Sequence, residues 1–393
     1  MHQAEGFLGM TVLHARSTSR QGGRPLERVA KRVGPPTFSV REARDLVQDL
    51  FTPRPAVYWA DFLVSITVAY GFAFIYLRAE PFSAAQIGAF LLSGLALFRA
   101  GTFIHEIVHM PRGTMKGFQI VWNVLCGIPL LMPSFLYSNH ADHHNRRRYG
   151  TPADGEYLPL GAAPRKEILL YLAQVPILPL LAIVRFLLLT PLSLAHPALR
   201  RWVLERASSY ASNPYYRRRV PSGESHRLWL AVELVCFGGL VLVVMLLVRG
   251  VVPWPTALMV YLLATYTIGL NWVRNLAAHR YRNDGSEMTH IEQLLDSINL
   301  PGRPWLTALF FPVGLRFHAL HHLFPAIPYH SLCEAHQRLM TNLPSDSPYR
   351  QTVYRGFWAA LRQLWQAARL QDSRRSGAMR HWRHPNERLD AVG

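Results

Sequence analysis

The sequence predicts an all-α integral membrane fold: four transmembrane helices and a cytoplasmic helical cap that carries a histidine-ligated site for two metal ions. Three observations lead there. Half of the 393 residues are hydrophobic, and they are gathered into long runs. The arginine-rich segments all fall on one side of a four-crossing arrangement. Histidine recurs in clusters: His105-Glu-Ile-Val-His109, His140-Ala-Asp-His143-His144 and His318-Ala-Leu-His321-His322. On a helix, positions i, i+3 and i+4 share a face, so each cluster can aim its imidazoles at one point. Neutral imidazole binds Fe, Zn, Cu and Ni. The clusters supply more nitrogens than one tetrahedral ion can use, which implies two ions.

The net charge is +18 and is almost all arginine; Lys31, Lys116 and Lys166 are the only lysines. Such a charge can signal nucleic acid, but the apolar runs favour an anionic membrane face, so no nucleic-acid partner is expected. Cys126, Cys236 and Cys333 show no CxxC spacing, so neither a disulfide framework nor a zinc-thiolate site is implied. The first fifty residues contain no apolar stretch of the kind a secretory signal requires.

Residues 1–55 read as a basic, largely disordered cytoplasmic arm followed by a short pre-membrane helix. His2 and His14 lie in that arm without partners. The membrane domain is expected over residues 56–345. Its first span, residues 57–77, is about 31 Å long as a helix, enough for a bilayer core. Asp61 near its start would stay wet at the interface. The second span, residues 82–104, passes directly into His105. One long helix therefore leaves the membrane with His105 and His109 on one face, while Arg99 snorkels to the interface. Residues 117–135 are apolar but interrupted by Pro129 and Pro133. A full crossing there would put His140 across the membrane from His105, so a re-entrant or surface hairpin is predicted.

Residues 168–194 carry Pro176, Pro179, Pro191 and Arg185, and are predicted as two helices lying in the interface. A basic stretch, Arg200–Arg219, then faces the cytoplasm. Spans three and four are residues 228–248 and 253–273, reversed at Gly250–Val252. Within the third span Glu233 packs against a polar neighbour or is functional. The fourth runs straight into Asn275-Leu-Ala-Ala-His279, another i, i+4 pair on a helical extension. His279 is thus an extra ligand candidate, and Asn275 a group that reaches metal directly or through water. His290 and His330 read as ordinary polar residues. The tail, residues 346–393, is basic and contains an amphipathic helix, Val353–Leu370. Its apolar stripe is Val353, Phe357, Leu361, Leu364 and Ala368, with Trp358 and Trp365 beside it and Arg355, Arg362 and Arg369 on another face. That pattern suits a membrane surface or the cap equally well.

Two other readings of the histidines arise. His105-Glu106-Ile107-Val108-His109 is a literal HExxH, which would make Glu106 the general base of an intramembrane zinc metalloprotease. It leaves both HxxHH clusters and His279 idle, and Asp284 is the only tempting third ligand. Bis-histidine haem ligation in an electron carrier needs only one or two histidines per group.

The full constellation resembles the membrane-bound fatty acid desaturase family. The likeness rests on HEIVH at 105–109, HADHH at 140–144 and HALHH at 318–322, in that order, with hydrophobic spans between the first two boxes and the last. The stretches His318–His330 and Tyr149–Tyr157 look especially like bacterial members, and the likeness covers roughly Val57 to His336. It implies a di-iron enzyme that uses O2 as co-substrate to introduce a double bond into the acyl chain of a lipid or thioester. Removing hydrogen from an unactivated chain needs an oxidant no side chain can supply.

The family's ligands correspond to His105, His109, His140, His143, His144, His318, His321 and His322. In acyl-CoA desaturases a further His with an Asn one turn earlier completes the site, and His279 and Asn275 match that pattern, which implies the same role here. Glu106, Asp142, Asp154 and Glu156 are candidates to orient ring nitrogens, and no catalytic residue apart from the ligands is implied. Related membrane hydroxylases and carotenoid ketolases carry similar boxes, which makes oxygen insertion the alternative outcome. Electrons are expected from an external carrier such as a ferredoxin, since the arm is too short and the tail too helical for a fused haem domain. A bacterial inner membrane is the expected location, with the boxes and both termini cytoplasmic.

Overall fold

The computed structural model describes residues 38–111, 113–220, 226–373 and 377–383. The basic arm up to residue 37, both termini, and His2 and His14 lie outside the described residues. Four helices are long and apolar enough to cross a membrane: α1 (Pro55–Arg78), α2 (Ala84–His109), α3 (His226–Val248) and α4 (Trp254–Asn275). Pro55 opens α1 at a position where its missing N–H costs nothing. Ser83 caps α2 by accepting the Gln86 N–H. Between α3 and α4 the chain reverses at Gly250, whose φ of 68° suits a residue without Cβ. There Val251 N–H bonds Leu246 C=O and Gly250 N–H bonds Leu247 C=O, the paired closure of a Schellman turn. Leu63, Val64 and Phe74 of α1 and Leu242 and Val243 of α3 are exposed, as lipid-facing side chains should be. Among the described residues no strand exceeds an isolated bridge.

Packing places the ends of α2 and α4 together. Tyr76 near the end of α1 donates to Met259 C=O near the start of α4. The opposite ends of the bundle therefore hold His105, His109 and Asn275. Phe62 and Phe103 pack edge to face with each other and with Phe118, which also meets Tyr58 edge to face, where α1 meets α2. Arg99 forks onto Asp61, donating from Nε at 2.8 Å and Nη2 at 2.5 Å, and Tyr329 O–H donates to the same carboxylate at 2.9 Å. The bidentate carboxylate on the neighbouring helix pairs its charge. Glu233 is fully buried and takes Arg200 at 2.6 Å and Arg185 at 3.0 Å, so its charge is paired within the protein.

The two proline-broken segments behave differently from straight spans. Lys116–Trp122 continues through a π-helical turn, Asn123–Gly127, before the chain doubles back to a 3-10 turn, Ser134–Tyr137. Asn123 closes this hairpin by accepting Ser134 N–H at 2.8 Å and donating to its hydroxyl at 2.9 Å. Arg165–Ala173 and Leu178–Leu194 meet at 50°, and taken as one unit they are long enough for a fifth crossing. The tail helix runs from Phe357 to Arg369. Val353 precedes it and bridges Asn299 instead of joining its stripe. Ala360, Leu364 and Ala368 are buried, whereas Trp358 faces outward.

Candidate metal centre

His105 and His109 occupy the last turn of α2. His140 and His143 form a one-turn helix with His144 as its C-cap. His318–Leu323 is a short helix that stops just before Pro325. It is held by Asn299, whose side chain accepts Leu320 N–H at 3.1 Å and donates to Thr352 at 2.9 Å. His279 departs from expectation. The helix ends at Asn275, a turn follows, and His279 sits in an antiparallel bridge with Ser297. Arg280 N–H to Asp296 C=O and Ile298 N–H to Ala278 C=O pin the segment on both sides. Long-range pairing has overridden helical continuation.

The nine histidines converge as two groups. One is His105, His109, His140, His144 and His321; the other is His143, His279, His318 and His322. Within each, one nitrogen per residue lies within 4.8 Å of all the others. Nε2 atoms face one another at 3.0 Å for His140 and His144, 2.9 Å for His279 and His318, and 3.1 Å for both His144–His321 and His318–His322. Both nitrogens of His105 and Nε2 of His109 are buried without a hydrogen-bond partner. Lone pairs aimed at a common point, and orphaned buried nitrogens, are what a cation satisfies. Burial, and then the neighbouring charges, hold His140, His144, His279, His318, His321 and His322 well below the usual imidazole range, which favours the neutral form that binds metal.

Several Nδ1 atoms have carboxylate support. His140 meets Glu156 at 2.6 Å, and Tyr137 O–H donates to the same carboxylate at 2.9 Å. Burial pushes Glu156 up to about 7. His143 meets Asp154 at 2.9 Å. Burial, the largest single influence, opposes its protonation, but Asp154, Glu156 and Asp296 together raise it. Gly150, at φ 69°, turns its N–H onto the same Asp154 oxygen at 3.0 Å. The Tyr149 hydroxyl donates to Asp296 at 2.9 Å and so is free to accept His279 Nδ1–H at 2.8 Å. Each contact turns a ring so that Nε2 points at the metal position.

Glu106 and Asp142 do other work. Glu106 accepts Tyr58 O–H at 2.6 Å and Tyr329 N–H at 3.2 Å, which ties α2 to α1 and to the stretch after the third box. Asp142 pairs with Arg148 and accepts Tyr216 O–H at 2.8 Å. Neither has a described contact with an imidazole. Sequence reasoning missed Asp296; it ends a short helix whose periodicity gives no sign that it backs His279. Asn275 lines a small cavity between the two groups, with His105, His140, His143, His279 and His318 around it. His290 and His330 join neither group; His330 accepts Arg54 N–H at 3.0 Å.

The donor set fits two borderline transition-metal ions. It does not fit an HExxH protease, because Glu106 is engaged away from the metal position and three further histidines share the site with His105 and His109. The family model for fatty acid desaturase matches residues 81–354. A ceramide hydroxylase from Caulobacter vibrioides (strain NA1000 / CB15N) is 40% identical over 337 residues, which cover 85% of this chain and 95% of that protein. No solved structure matches significantly.

Proposed function

The chain belongs to the fatty acid desaturase family, and from that premise we propose that it is an O2-dependent hydroxylase of a ceramide-type lipid. The observation that carries this reading is the 40% identity to a ceramide hydroxylase across nearly its whole length. It favours oxygen insertion, the alternative outcome of the sequence reading, over desaturation. Two irons held by the nine histidines would supply the O2 activation that side chains cannot. In the overall reaction one C–H bond becomes C–OH, and the second oxygen atom leaves as water. Substrate carbon provides two electrons, an external carrier such as a ferredoxin provides two more, and solvent supplies the two protons.

This chain's residues hold the site in register. Glu156, Asp154 and the Tyr149–Asp296 pair fix three rings, and burial keeps water from competing for the converging nitrogens. The four apolar helices support a site beside a bilayer, where a lipid substrate would be concentrated. A bacterial inner membrane with the histidine boxes and both termini on the cytoplasmic side fits the arginine distribution. Expression in a host supplied with 18O2, followed by mass spectrometry of its lipids, tests the reaction. Hydroxylation predicts a ceramide bearing one added 18O. Loss of two hydrogens with no label would return the reading to desaturation.

A further inference from the structure

Arg274 is in an unusual position for a charged side chain. It lies in the last turn of α4, only 8% exposed, and lines the cavity between the two histidine groups. Its Nη2 donates to Asn271 at 2.6 Å, but Nε is buried with no hydrogen-bond partner. Among the described residues no carboxylate lies within ion-pair distance of it. Arg185, equally buried, is satisfied by Glu233, Ser208 and Thr190. A buried guanidinium with an idle donor is costly, and this one lines the cavity between the two histidine groups.

We propose that Arg274 binds an oxygen at the polar end of the substrate, a hydroxyl or amide carbonyl, and so selects which nearby carbon faces the metal positions. The inference rests on the hydroxylase reading and deepens it by naming what the site recognises. A plain hydrocarbon offers this guanidinium nothing, so a mid-chain position of an acyl tail is a poor occupant. A long lipid with oxygens close to the reacting carbon satisfies both the donor and the apolar surroundings. Because Arg274 is fixed on a spanning helix, the distance from the recognised oxygen to the reacting carbon is fixed too.

The test uses the full chain in lipid nanodiscs, loaded with zinc so that binding is read without turnover. The probes are a radiolabelled N-acyl sphinganine and radiolabelled octadecane, which lacks oxygen. Arg274→Leu is expected to weaken N-acyl sphinganine binding about ten- to hundredfold and leave octadecane within about twofold. In the iron-loaded enzyme, residual hydroxylation by the variant should spread over neighbouring carbons. Equal weakening of both probes, or no weakening of either, would overturn the proposal. If the leucine variant does not purify folded, Arg274→Met, unbranched and without a donor, must give the same selective loss. A desaturated wild-type product with the selective loss intact would sink the hydroxylase reading alone. A hydroxylated product indifferent to Arg274 would sink this inference alone.

Discussion

The five-histidine group hangs two of its members on the last turn of α2, a 26-residue spanning helix, whereas the four-histidine group takes none from a spanning helix. Its members come from a one-turn helix, a bridged loop and a short helix. The support around the rings differs in the opposite sense. In the smaller group, His143 leans on Asp154 and His279 on Tyr149 and Asp296. In the larger, among the described residues, His105 has neither nitrogen bonded and only His140 has a carboxylate at Nδ1. One group is stiffened by backbone, the other by side-chain hydrogen bonds, so different substitutions should damage them.

The largest expected effects separate the groups by donor number. His322→Ala leaves three donors in its group and should remove about half the iron and all measurable turnover. His144→Ala leaves four and should retain more iron, though turnover still collapses. Elemental analysis with product assay checks both; equal iron loss would break the comparison. Next comes Asp154→Asn, which removes the carboxylate behind His143 and should cost about 10–100-fold in activity or metal affinity. Tyr149→Phe interrupts the link from His279 to Asp296, and about two- to tenfold is expected. The same kinetics on Glu106→Gln should show most activity kept, because its amide oxygen can still accept from Tyr58 and Tyr329; an inactive variant would revive a general-base role. His290→Ala and His330→Ala should be close to wild type in both iron and turnover.

The three boxes were legible because i, i+4 spacing is local. The four spans were legible because hydropathy and proline are local too. The division of the histidines was not. His140 and His144 serve one group while His143 serves the other; in the third box His318 and His322 serve the second and His321 the first. Positions i+3 and i+4 diverge by about 100° around a helix, so one short box can feed two sites, but only tertiary packing places those sites. Asp61 and Arg99 looked like separate interfacial charges until α1 and α2 brought them together. His279 was readable as a candidate, yet its bridge to Ser297 and its backing by Asp296 depend on pairing with a distant segment.

Metal content is the most direct measure of the two converging histidine groups. The full chain, purified as isolated and analysed by inductively coupled plasma mass spectrometry, is predicted to carry about two irons per polypeptide, one for each converging group. A single tightly held zinc with no iron would contradict it.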